Sequence, residues 1–230
     1  METRIRQLER QVRWLIGLLV VALAVAGLAL VRGLSGRGND DILRARGLII
    51  VDAAGRERIL IGAPVPAAAS RVRTDPEKAR KAWAARYPRF DWYAGLNHAT
   101  NGIIILNEGG FDQIAIGDPT PDPNIGRRIG PATGIQINDR QGNERTGWGV
   151  FPTLNRVVLG LDTERGSEGV YLLVHESGYS GVGAQGKDAD VFLGYAAPGS
   201  TFATSSRPWS GLLVRRGESV KHSLDAFALK

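Results

Sequence analysis

One spacing, used three times, constrains the fold of this chain more than any other feature. Gly47-Leu48-Ile49-Ile50-Val51-Asp52 leads to Gly55 and Gly62, Gly102-Ile103-Ile104-Ile105-Leu106-Asn107 to Gly110 and Gly117, and Gly134-Ile135-Gln136-Ile137-Asn138-Asp139 to Gly142 and Gly149. Each time Asp or Asn opens the link between two apolar runs, and a glycine follows three residues later. That pairing favours a type I turn closed by a left-handed residue. Each unit therefore reads as a β-hairpin, with Ile59, Ile61, Ile114 and Ile116 on one face of the return strands. Arg58, Gln113 and Arg145 share a third equivalent position. A lone hairpin is marginal in water, so the units must stack or share a sheet.

The pattern loosens downstream but continues. Residues 155–161, 169–174 and 191–195 read as strands, and 211–214 with 219–224 as a closing hairpin. The expected fold is an all-β domain of about ten strands over 47–230, an irregular β-solenoid or a sandwich-like meander of tandem hairpins. Residues 64–101 interrupt the first two units as an insertion. Within it Thr74-Asp75-Pro76-Glu77 resembles a helix start, with Thr74 as cap and Glu77 in the capping-box position, and the helix should stop near Arg86. Trp83, Tyr87, Phe90, Trp92 and Tyr93 follow closely, interleaved with Arg86 and Arg89. Aromatics mixed with arginine suit a partner interface or the headgroup zone of a bilayer; the other reading is a local core over one end of the β-body.

Ahead of the repeats, Trp14–Val31 contains no charged side chain. Eighteen helical residues span roughly 27 Å, enough for a bilayer core of ~30 Å. The expected layout is a basic cytoplasmic helical tail over 1–13, a membrane span over 14–32 and a linker over 33–46. The basic tail keeps the N-terminus inside, which puts the β-domain in the periplasm of a bacterial inner-membrane protein. Ala24-Val25-Ala26 would fit a signal-peptidase site, but the apolar run continues to Val31, where a mature N-terminus turns polar. Ala22, Ala26, Ala29 and Gly33 form a small-residue stripe on which another helix could pack.

Chemistry is sparse. The chain has no cysteine and three histidines, His98, His175 and His222, none of them paired at metal-ligand spacing. Gly181-Val182-Gly183-Ala184-Gln185-Gly186 matches a dinucleotide fingerprint in letters only, because a turn and a strand follow it in place of a helix. The net charge of +6 falls on residues 1–46 and 64–101, a distribution unlike a nucleic-acid-binding surface. No catalytic set, metal site or cofactor is expected.

The residues Leu8-Glu9-Arg10-Gln11-Val12-Arg13, the membrane segment and Ile50-Val51-Asp52-Ala53-Ala54-Gly55-Arg56-Glu57-Arg58 together resemble bacterial single-span membrane-anchored β-hairpin-repeat proteins. The resemblance implies a single anchor and an extracytoplasmic β-domain, and no activity. The expected function is a non-enzymatic accessory subunit of a larger membrane assembly, a photosynthetic or respiratory complex being one concrete case. Its partners would be integral membrane subunits and the lipid bilayer. The alternative is a tethered envelope protein that binds or processes glycan or peptide in a groove around Trp148 and Trp209.

Overall fold

The computed structural model describes residues 2–35, 43–87, 90, 93, 96–123, 132–164, 166–200, 206–217 and 219–227; within the first helix it describes the side chains of Arg4 and residues 13–28. The chain divides into two compact units, Met1–Ala45 and Arg46–Lys230.

The first unit is one helix, α1 (Glu2–Ser35). Every described side chain on it is exposed, including Trp14, Leu15, Leu18, Leu19 and Leu23. Among the described residues no helix is long and apolar enough to cross a membrane. The described apolar side chains end at Leu28, after about 22 Å of helix. Ala22 and Ala26 are exposed, whereas the side chains of Ala29 and Gly33 lie outside the described set.

Among the described residues, the second unit is a single open antiparallel sheet of twelve strands in strict sequence order. It is neither a solenoid nor two packed sheets. The strands are β1 (Gly47–Val51), β2 (Glu57–Gly62), β3 (Gly102–Leu106), β4 (Asp112–Gly117), β5 (Thr133–Asn138), β6 (Glu144–Phe151), β7 (Arg156–Asp162), β8 (Glu168–His175), β9 (Tyr179–Gln185), β10 (Asp190–Ala196), β11 (Trp209–Arg216) and β12 (Ser219–Asp225).

The three repeats are superimposable hairpins. Gly47 pairs with Gly62, Gly102 with Gly117 and Gly134 with Gly149, and a bulge falls at the same step in each. Asp52, Asn107 and Asp139 fix the turns. In each case the side-chain Oδ1 accepts from the backbone N–H groups two and four residues on. Gly55, Gly110 and Gly142 close them at φ 77°, 79° and 77°, a conformation that costs a residue with a Cβ. Hairpin β7–β8 is a fourth copy that the spacing did not reveal: Thr163 replaces the Asx residue, and Gly166 closes the turn at φ 76°.

The third shared position joins one hairpin to the next. Arg58 donates to the Leu106 carbonyl (3.0 Å), Gln113 to that of Asp139 (2.6 Å) and Arg145 to that of Asp162 (3.2 Å). These bonds link side chain to backbone and set no alternative register, so they brace a stacking that the apolar ladder already specifies.

Glycines form a row across the sheet. Gly47, Gly62, Gly102, Gly117, Gly134 and Gly149 stand opposite one another in turn; Val158 and Leu173 follow, then Gly181, Gly194 and Gly211. A Cβ on Gly134 would lie 2.1 Å from the Trp148 carbonyl oxygen, and one on Gly102 1.9 Å from that of Ile116. Neighbouring backbones approach too closely there for any side chain. Strand β9 was missed in the sequence for the same reason. Its Gly181 and Gly183 lie under the rings of Phe192 and Tyr171, so Val182 is the one β-branched residue left in it to signal a strand.

The insertion folds against the row's own face of the sheet. Val65 and Ala68 pack on Leu60, Ile104, Leu106 and Ala115. Helix α2 (Pro76–Trp83) is capped by Asp75, which accepts from the N–H groups of Glu77 and Lys78. Thr74 is thus not the cap; its hydroxyl donates to the Arg71 carbonyl instead. The helix also ends earlier than expected, at Trp83, and continues as turns in which the Arg86 and Tyr87 N–H groups donate to the Trp83 carbonyl; the Trp83 ring packs beside Tyr93 and Phe111.

Candidate functional site

The aromatic insertion is a core. Trp83 is 2% exposed and Tyr93 0%, and Tyr87 and Phe90 are buried with them. The physical reason is a buried ion cluster. Asp112 projects from the start of β4 and receives both Arg71 (2.7 and 2.9 Å) and Arg73 (2.9 Å). Burial works against its charge, but the two guanidiniums outweigh that and hold its carboxyl below the usual range. Arg73 also donates to the Tyr93 hydroxyl and to the carbonyls of Pro121 and Gly142, with its guanidinium 5.2 Å from the Trp83 ring centre. Trp83 donates to the Gln141 carbonyl (2.8 Å) and Tyr87 to Asn143 Oδ1 (2.6 Å). The insertion therefore spends its aromatics on the turns of the second and third hairpins. Of the candidates for a partner interface, Trp83, Tyr87, Phe90 and Tyr93 are buried together as a local core, the other reading of the insertion. Arg86 stays at the surface, where it meets Glu164, and Arg89 and Trp92 lie outside the described residues.

The unsatisfied surface is on the other side of the sheet. One cross-strand ladder runs unbroken over all twelve strands: Leu48, Ile61, Ile103, Ile116, Ile135, Trp148, Leu159, Leu172, Val182, Leu193, Leu212 and Leu224. Beside it runs a second: Ile50, Ile59, Ile105, Ile114, Ile137, Thr146, Leu161, Val170, Ala184, Val191, Val214 and His222. Neither row contains an Asp, Glu, Lys or Arg. None of these side chains is buried; Trp148 is 60% exposed and Leu193 57%. A solvated antiparallel sheet alternates apolar in with polar out. This sheet turns an unbroken apolar face outward, while the opposite face, part of which the insertion covers, also carries Gln136, Arg156, His175 and Asp190.

At ~4.8 Å per strand and two rows about 7 Å apart, the ladders cover roughly 50 Å by 14 Å, or about 700 Å². Monomeric proteins rarely expose a contiguous apolar patch beyond about 300–600 Å². The face is also shaped. Trp148, Val157, Leu172, Val174 and Val182 line a shallow depression of about 410 Å³.

The glycan groove expected around Trp148 and Trp209 does not form. Trp148 stands on the exposed apolar face, whereas Trp209 pairs with buried Ala196 on the opposite face and stacks on Phe192 at 6.1 Å. A polar cluster beneath the sheet is a second place to look for chemistry. Glu144 receives Gln136 Nε2 (3.2 Å), and Gln136 Oε1 accepts from the Thr120 N–H and hydroxyl (both 3.1 Å). Burial, then the charges of Asp122 and Asp162, push the Glu144 carboxyl up to about 8. The adjoining cavity measures about 50 Å³, room for a water or two and not for a substrate. Among the described residues no group of three His, Cys, Asp or Glu side chains is placed to hold a metal. His98 lies in the insertion, His175 stacks on Tyr179 at the end of β8, and His222 is on β12.

No protein family, curated protein or solved structure matches the chain.

Proposed function

We propose that this chain is a non-enzymatic accessory subunit of a bacterial membrane protein complex, docking on its partner through the apolar face of the twelve-stranded sheet. The observation that carries the reading is the exposed ladder from Leu48 to Leu224. An apolar face of that size is costly in water, at about 25 cal/mol per Å², and its burial against a partner subunit would recover that cost. The open edges of β1 and β12 argue against immersion in lipid, where unpaired backbone groups are not tolerated. A protein surface is therefore the partner class that fits best.

Helix α1 fits the same reading as a membrane anchor. Its apolar side chains from Trp14 to Leu28 are exposed all round, and the sequence continues apolar through Ala29, Leu30 and Val31 within the same helix. With the basic tail inside, the β-domain would lie in the periplasm, facing the extramembrane surface of an integral assembly, an energy-transducing complex being one such case. Extraction of native membranes in mild detergent, then native electrophoresis and mass spectrometry, tests the proposal. Comigration with integral membrane subunits is expected, lost when Leu172→Lys is placed in the face. A chain that runs alone in both forms overturns it.

A further inference from the structure

The two edges of the sheet are built differently. Edge strand β12 exposes His222 and Ser223, polar groups of the kind that make a sheet edge less inviting to further pairing. Edge strand β1 carries none. It reads Gly-Leu-Ile-Ile-Val, and all five residues are exposed. The covered row of the sheet runs out to it unsealed: Leu60 and Ile104 are 0% exposed, while Ile49 in the same row is 39% exposed. Among the described residues nothing pairs with the outer edge of β1.

We infer that β1 pairs with β1 of a second copy of this chain, antiparallel about a twofold axis through Ile49. This register pairs all five residues of the strand and keeps like face against like face, which a one-residue slip does not. Ile49 stands opposite Ile49 of the second copy, Leu48 opposite Ile50, and Gly47 opposite Val51. Residues of the covered face then meet residues of the covered face, and those of the exposed ladder meet their own kind. A one-residue slip would set Leu48 against Ile49 and mix the two faces. No charge opposes the approach, and no proline or bulge interrupts Gly47–Ile50. The pairing joins two twelve-stranded sheets edge to edge and closes the row Leu60–Ile49–Ile49–Leu60.

Chain length favours a second copy over another partner. Eleven residues separate Ser35, the end of α1, from Gly47, a link that reaches at most ~40 Å. Two copies held by α1 in one membrane would thus present their β1 strands to each other at high local concentration. Edge pairing and docking through the apolar face use different surfaces, so either can fail alone.

The absence of cysteine from the chain makes the register directly testable by single substitutions in the full-length protein. Directly opposite residues in an antiparallel pair have Cβ atoms ~4.5–5.5 Å apart, and diagonal neighbours ~7–8 Å. Ile49→Cys should therefore form a disulfide-linked dimer on mild oxidation in detergent. Leu48→Cys should not do so alone, but should when mixed with Ile50→Cys chains. The wild-type chain should run as a dimer by light scattering, and Ile49→Lys as a monomer with the circular dichroism of the wild type; if that variant misfolds, the cysteine pattern decides. A monomeric wild type with no Ile49→Cys dimer overturns the inference. So does cross-linking of Leu48→Cys to Leu224→Cys, which would mean head-to-tail addition, or a different protein in place of the second copy.

Discussion

Arg73 and Asp112, separated by 39 positions in the chain, sit 2.9 Å apart with both side chains buried. The pair fastens the insertion to the sheet. Arg71 completes the cluster with two further bonds to the same carboxylate. Removing one member of a buried ion cluster leaves the others uncompensated, at about 3–5 kcal/mol. Asp112→Ala should therefore lower stability by that order, read as the denaturation midpoint of the full chain in detergent. An unchanged midpoint would mean that the two arginines are solvated after all.

Trp83→Ala should act in the same way. The ring packs against Tyr93 and Phe111 and donates to the Gln141 carbonyl, and deleting a buried tryptophan typically costs about 3–5 kcal/mol. The expected result is a lower melting temperature with partner binding retained in the folded fraction. Loss of partner at unchanged stability would restore the aromatic cluster to the interface.

Glu144 sets a pH dependence whose sign is fixed. Its folded carboxyl titrates at about 8, against an ordinary value of 4.5, so the folded state holds a proton that the unfolded state has released. Stability from this group is fully present below pH 4.5 and is lost as the pH rises towards 8, by an amount on the order of a few kcal/mol. Glu144→Gln should leave stability near pH 4 almost unchanged and raise it at pH 8.5. Unfolding curves of both forms at the two pH values check this; parallel curves would show that Glu144 is ionised in the folded state.

At Gly134 the glycine row leaves no room for a side chain. Gly134→Ala sets a Cβ 2.1 Å from the Trp148 carbonyl oxygen, and the sheet must shift to make room. A loss of roughly 2–4 kcal/mol is expected, compared with about 1 kcal/mol for Gly199→Ala, whose Cβ meets nothing but whose φ of 73° carries strain. Equal melting temperatures for Gly134→Ala and the wild type would show that the strands are farther apart than described.

What the sequence disclosed was local. An Asx residue and a glycine three positions on dictate a turn by themselves, so hairpins β1–β2, β3–β4 and β5–β6 were legible down to the face carrying Ile59, Ile61, Ile114 and Ile116. Thr163 performs the same turn with a hydroxyl, and the fourth copy escaped notice. The number of sheets was not legible, because tandem hairpins with this pattern suit a solenoid, a sandwich or one meander alike. Nor was the fate of the aromatic insertion. Arginine among aromatics describes an interface and a buried cluster equally well, and what decides between them is Asp112, whose position opposite Arg71 and Arg73 is a tertiary fact. The apolar ladder lay in plain view as alternation, but alternation cannot tell which face the chain covers for itself.

Docking through that uncovered face can be checked with one substitution. Native membranes containing the wild-type chain or Leu172→Lys, whose side chain stands in the middle of the exposed ladder, are extracted in mild detergent and resolved by native electrophoresis. The wild-type chain should comigrate with integral membrane subunits, and Leu172→Lys, folded by circular dichroism, should run free of them. Comigration unaffected by the lysine, or a wild-type chain with no such subunits beside it, would mean that the face does not dock on them.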